Sequence, residues 1–170
     1  MTALGVDFGG TKVLACVVEG GRMLARVTRP TGRSTGPGDA LGLLVEVASE
    51  LRAHAPRGFD ACGIAFPGLV DRARGVVLSS VMLDGWSQVP LAERAARAIG
   101  VRCVVDNDVN AAAVAEVAAR GDAVPGSMLL VMVGTGIGGA IVLGGRVLRG
   151  ASGVAGEIGN TTIRDDGPEC

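Results

Sequence analysis

Histidine is almost missing from this chain of 170 residues, which has only His54. That residue falls in a stretch with helical spacing of apolar side chains and reads as a surface residue. Neither a Ser-His-Asp triad nor a multi-histidine metal site can therefore be built here. An excess of one charge is missing too: 16 Lys and Arg against 17 Asp and Glu leave a net charge of −1. This gives no electrostatic footprint for nucleic acid or for an anionic membrane. Cysteine is sparse, and Cys16, Cys62 and Cys103 sit in apolar strand-like runs with no pairing pattern, which reads as reduced core thiols in a cytoplasmic protein. The basic start and apolar core of a signal peptide are absent. Lysine is the scarcest cation, with one Lys beside 15 Arg. That one, Lys12, is either a chance survivor of a bias toward Arg or an ammonium kept for a phosphate.

One uncharged apolar run, 123–145, is long enough to span a bilayer, and Gly134 and Gly138 give it GxxxG spacing. Pro125 and the run's glycines argue against a helix, at about 1 kcal/mol per interior glycine. The run is predicted to be a buried β-hairpin and the protein to have no membrane partner.

What the chain has in quantity is glycine, 28 residues, and its placement is not random. Asp7-Phe8-Gly9-Gly10-Thr11-Lys12 runs into VLACVVEGGRML, and Val133-Gly134-Thr135-Gly136 runs into IGGAIVLGGRVL. Sliding the first onto the second matches Gly10 with Gly134, Thr11 with Thr135, Gly20 with Gly144, Gly21 with Gly145 and Arg22 with Arg146. So long a spacing is no solenoid period and reads as a duplicated domain core. Each copy offers a glycine turn whose N–H groups can face an anion, and two such turns make a clamp for a nucleotide's phosphates.

Periodicity predicts strands near 3–8, 12–19 and 22–28, with Gly20-Gly21 as a hairpin turn. A loop over 30–39 leads to a helix capped by Asp39 and running to Ala55, with Leu41, Leu44, Val45, Ala48 and Leu51 on one face. A strand over 60–66 ends at Pro67-Gly68. A helix over 90–99 starting at Pro90, a strand over 101–105 and a helix over 109–119 follow, then strands over 127–133, 138–143 and 146–149. The pattern is an α/β fold with a mixed sheet. We expect a complete lobe over 1–115 and the incomplete beginning of a second over 116–170.

VVDNDVNAAAVAE places Asp106, Asn107, Asp108 and Asn110 at a strand-to-helix junction, where α/β proteins put reactive groups and where Asp and Asn also serve as helix caps. A calcium loop is excluded, since Ala111 and Val117 stand where its Gly and Glu should be. GTGIGG satisfies GxGxxG, but a dinucleotide motif must open a helix and AIVLGGRVL is a strand and a turn. Those glycines serve either a phosphate turn or hairpin geometry. Glu157 and Asn160 in GVAGEIGN suit a polyol, whose hydroxyls both donate and accept, or form a solvated polar loop.

Together these motifs resemble the ROK family, the sugar kinases and sugar-sensing repressors of the actin-like ATPase superfamily. DFGGTK is similar to its first phosphate motif, GIAFPGLVD to the strand and turn that follow, LDGWSQVPL to its sugar-domain loop and VDNDVNAAA to its catalytic segment. VGTGIGGAIVLGGRVLRGASG is similar to the second phosphate motif and GEIGN to the GEIGH sugar loop. The resemblance implies actin-like, ribonuclease-H-like lobes, each a mixed β-sheet with flanking helices, closing on ATP, Mg2+ and a hexose. It implies Asp108 as the general base, and Gly68, Asn107, Glu157 and Asn160 as sugar contacts. Asp7, Gly9, Gly10, Thr11 and Lys12, with Gly134, Thr135 and Gly136, fall to the nucleotide.

Three positions depart from the pattern. Asn160 replaces a histidine that binds sugar and, in many members, zinc; Met82 replaces an asparagine of the sugar loop; and Cys170 stands where a cysteine-rich zinc motif begins. We expect a hexose kinase present as an inactive N-terminal portion, with no complete zinc site and a tendency to homo-oligomerise through an uncovered sheet edge. The rival is a non-catalytic sugar-binding sensor of the same family. A DNA-binding repressor is disfavoured because no helix-turn-helix precedes DFGGTK.

Overall fold

The computed structural model describes residues 1–32, 34–123 and 126–167. The chain forms two compact units, Met1–Asp108 and Val109–Cys170, against a lobe boundary expected near residue 115.

In the first unit β1 (Thr2–Phe8), β2 (Lys12–Glu19) and β3 (Arg22–Pro30) form an antiparallel meander. Strands β4 (Ala61–Phe66) and β8 (Cys103–Asn107) add parallel to β1, giving the order β3-β2-β1-β4-β8. Alternation decides the buried face. Leu4, Val6, Phe8, Val13, Ala15, Val17, Ile64, Phe66 and Val105 point into one core with residues of α1 (Pro37–Leu51) and α2 (Leu91–Ile99). Phe66 is central, its ring 6.1 Å from Phe8 and 4.2 Å from Trp86, whose indole N–H donates to the Thr35 carbonyl at 3.0 Å. Between β4 and α2 lie three short strands not anticipated above: β5 (Leu69–Asp71), β6 (Val76–Ser79) and β7 (Ser87–Val89), a small antiparallel sheet.

Helix α1 differs from expectation in start, end and phase. Gly36 is its N-cap and Pro37 its first residue, where the missing N–H costs nothing; Asp39 sits in the first turn and does not cap. The last turn tightens into a 3-10 helix over Arg52–His54, leaving His54 exposed as expected. Ala40, Leu44, Val47, Ala48 and Leu51 are the buried face, while Val45 points outward.

The second unit takes α3 (Asp108–Arg120) from its second residue and continues into a meander of β9 (Ser127–Val133), β10 (Ile137–Leu143) and β11 (Arg146–Leu148). Val109 and Ala113 of α3 pack with Ala140 and Val142 of β10. The uncharged run forms the expected hairpin, with Ile137↔Val133 through Leu143↔Ser127 in register, but not a buried one: Leu129, Val131, Met132, Val133 and Ile137 are exposed, because among the described residues β9 pairs with β10 alone. Among the described residues no helix is long and apolar enough to cross a membrane. The repeat is visible in the backbone: Gly20 and Gly21 have φ of 57° and 82°, Gly144 and Gly145 55° and 72°, and positive φ at both central residues is what a type I′ hairpin turn requires. The glycine-threonine turns, however, differ by one residue. Four residues (9–12) lie between the Phe8↔Val13 pair, and three (134–136) between Val133↔Ile137.

Candidate functional site

The parallel strands β1, β4 and β8 all end on the same side of the sheet, and the first unit's candidate residues lie at those C-terminal ends, where open α/β sheets bind ligands. At β1, the Gly9 N–H donates to the Lys12 carbonyl at 2.8 Å, closing the first turn. Thr31 holds the turn from outside: its hydroxyl donates to the Gly9 carbonyl at 2.8 Å, and its N–H to the Thr11 carbonyl at 2.9 Å. A Cβ on Gly9 would come within 3.0 Å of the Lys12 carbonyl, and one on Gly10 within 3.1 Å of the Met82 methyl. Close approach of a backbone carbonyl explains Gly9; at Gly10 the neighbour is the movable end of Met82, which lies on this first glycine-threonine turn. Asp7 is exposed beside it; partial withdrawal from water raises its pKa above the ordinary carboxylate value, and the Lys12 ammonium opposes this more weakly.

At β4 and β8 the structure brings Gly68, Asn107 and Asp106 together. The Asn107 amide donates to the Gly68 carbonyl at 3.2 Å, and Asp106 Oδ1 accepts the Asn107 backbone N–H at 3.0 Å. Gly68 has no room for a side chain, because a Cβ would collide with the Ser79 carbonyl. Ser80 ties the same turn to the segment that follows it: its hydroxyl donates to the Pro67 carbonyl at 2.6 Å and accepts the N–H groups of Met82 and Leu83, each at 3.2 Å. Asp108 follows as the first residue of α3, where the helix dipole favours a carboxylate. Sequence reasoning missed Thr31 and Ser80. Both stand alone among unremarkable neighbours, and only the fold places them against a motif.

In the second unit the Gly134 N–H donates to the Gly136 carbonyl at 2.9 Å, and Gly134, Thr135 and Gly136 are exposed. The other glycines of the run have a packing role. A Cβ on Gly139 would lie 2.5 Å from the Gly156 carbonyl, one on Gly156 2.8 Å from the Gly139 carbonyl, and one on Gly159 would collide with the Ile137 carbonyl. Loop 156–160 therefore lies directly on β10, and the turn at 134–136 and the Glu157/Asn160 loop form one piece. Within that loop the Asn160 amide donates to Glu157 Oε2 at 3.3 Å. Among the described residues no group of three or more His, Cys, Asp or Glu could hold a metal ion. Cys170 lies outside them.

Parallel strand ends carrying Asp-Asn-Asp, and a glycine-threonine turn in each of two repeated meanders, belong to a mixed α/β fold of the actin-like ATPase type. The ROK family model matches residues 3–170, and the chain belongs to the ROK family. It is 33% identical over 171 residues to a glucokinase of Thermotoga maritima, covering 98% of this chain and 52% of that protein. It is 35% identical over 172 residues to an N-acetylmannosamine kinase of Escherichia coli, covering 100% and 57%. Among solved structures, a ROK hexokinase from Thermus thermophilus superposes with a TM-score of 0.81 at 39% identity, covering 100% of this chain and 56% of that one. A ROK family transcriptional regulator, a homologue of the E. coli MLC protein, gives 0.84 at 28%, covering 99% and 43%. A ROK family glucokinase from Streptomyces griseus, in complex with glucose and AMPPNP, gives 0.79 at 32%, covering 98% and 52%. The chain spans about half the length of the curated relatives it matches.

Proposed function

We propose that this chain is the first part of an ATP-dependent hexose kinase that phosphorylates a primary hydroxyl, with Asp108 as general base. The observation that carries the reading is the end of β8: Asn107 tied to the Gly68 carbonyl, its N–H held by Asp106, and Asp108 next in line at a helix start. A kinase of this kind needs a hydroxyl held in line with the γ-phosphorus and little other covalent help. Asp108 takes the hydroxyl proton as the sugar oxygen bonds to phosphorus and the bond to the ADP oxygen breaks. Gly68, Asn107, Glu157 and Asn160 hold the sugar; Gly9, Gly10, Thr11 and Lys12, with Gly134, Thr135 and Gly136, take the phosphates.

Mg2+ binds through one or two carboxylates while keeping several waters and the nucleotide's own oxygens. The exposed Asp7 carboxylate beside the first turn fits that demand. Bound there, the ion would neutralise phosphate charge. In this reading the 170-residue chain is inactive by itself, because it spans only about half the length of the relatives it matches.

A second reading, a sugar-binding sensor without catalysis, is favoured by Met82, which lies on Gly10 where a sugar-loop asparagine is expected. One experiment separates the two. The full-length protein is incubated with glucose or N-acetylmannosamine and MgATP, and ADP and sugar phosphate are quantified. Equal amounts of the two products support the kinase; sugar binding by calorimetry without either product supports the sensor.

A further inference from the structure

The turn between β5 and β6 carries Arg72, which no motif above marks. The turn is held on both sides. Asp71 Oδ1 accepts the Arg74 N–H at 3.0 Å. The Gly75 carbonyl accepts the Ala92 N–H at 3.0 Å, and a Cβ on Gly75 would collide with the Ala92 methyl at the start of α2. Arg72 is therefore presented from a fixed base. Its Nε lies 3.3 Å from Oδ2 of Asp106, whose side chain is 12% exposed. The other carboxylate oxygen holds the Asn107 N–H. One buried carboxylate thus joins a guanidinium on the small sheet to the peptide plane that leads into Asn107 and Asp108.

A carboxylate withdrawn from water is held in place by its partner cation and donors; losing the cation lets it admit water or turn toward other donors. Either response loosens the acceptor that fixes the Asn107 peptide. We propose that Arg72 is a positioning residue that acts through Asp106 to fix Asn107 and Asp108 for catalysis. The link is read from geometry; that it serves phosphoryl transfer rests on the kinase reading above. Where catalysis is mostly positioning, a displacement of the order of 1 Å can cost about 100-fold.

Two measurements separate the link from that reading. Hydrogen exchange at the Asn107 backbone amide, followed by NMR, is expected to speed up roughly 10-fold in Arg72→Ala and to stay near wild type in Arg72→Lys, which keeps a cation. In an Asp106→Asn background the same Arg72→Ala change is expected to do little, because the amide oxygen still accepts the N–H and has no charge to pair. In sugar kinetics, Arg72→Ala should lower kcat/KM by roughly 10- to 100-fold with rescue by Arg72→Lys. If Arg72→Ala does not fold, Arg72→Gln gives the same comparison. Faster exchange in a protein that phosphorylates no sugar supports the link and removes the kinase reading. Unchanged exchange in Arg72→Ala, or an equal change in the Asp106→Asn background, overturns the proposal.

Discussion

Asp106 and Asp108 have the same side chain two positions apart, and their surroundings give them different work. Asp106 is buried, holding the Asn107 N–H and facing Arg72; Asp108 begins α3. Asp108→Asn is expected to lower kcat roughly 100- to 10,000-fold, the range for a lost general base, with a smaller change in sugar KM. Asp106→Asn keeps its acceptor oxygen and should cost far less; equal losses in steady-state kinetics would contradict the assignment. Asp7 gives a test by pH. Its raised pKa, from burial first and against Lys12, means the fold holds the proton more tightly than the unfolded chain does. The penalty is fully present above the folded pKa and disappears as pH falls below the unfolded value. The side chain is exposed, so the effect is small. Asp7→Asn should leave Tm unchanged or slightly raised at neutral pH, with no gain below about pH 3.5, while MgATP-dependent turnover falls roughly 10-fold or more. A clear drop in Tm at neutral pH would show that the carboxylate is structural.

The elements that were legible are those whose signal is local. GG turns announce type I′ hairpins, and the short apolar runs in TALGVDF and KVLACVVE announce strands, while the alternating burial that picks their faces comes from the packed sheet. PGDALGLLVEVASEL has apolar residues to spare on two sides, so periodicity alone did not fix its phase, and the core chose Val47 over Val45. Strands of three or four residues such as β5, β6 and β7 are too short to show alternation; tertiary pairing makes them. At the candidate site the motifs stand in the sequence, whereas Thr31, Arg72 and Ser80 are marked only by the fold, each through a partner well separated along the chain: Gly9, Asp106 and Pro67. Neither reading of GTGIGG, phosphate turn or hairpin geometry, named what the structure adds at Gly139. Gly134 and Gly136 form an exposed turn, and Gly139 is packing. Gly139→Ala or Gly159→Ala should push loop 156–160 off β10, costing about 1–3 kcal/mol as overpacking and raising sugar KM more than it lowers kcat. Wild-type melting and KM in both variants would refute the coupling of that loop to β10.

As a whole molecule the chain presents an asymmetry between its two copies of one meander. Strand β1 is paired on both sides, by β2 and β4, whereas among the described residues β9 is paired only by β10. Leu129, Val131, Met132 and Val133 of this uncharged edge are exposed. An apolar edge of seven residues without Pro invites pairing with another chain. The 170-residue chain should therefore self-associate in sedimentation experiments, and Val131→Lys should reduce it; a monodisperse monomer at high concentration would contradict this. The most direct test of the central claim is a matched assay of hexose phosphorylation with MgATP by three proteins: the 170-residue chain, the full-length protein and its Asp108→Asn variant. The account predicts sugar phosphate and ADP in equal amounts from the full-length protein, a rate roughly 100- to 10,000-fold lower from the variant, and none from the chain alone. Robust phosphorylation by the monomeric 170-residue chain, or near wild-type turnover by Asp108→Asn, would contradict it.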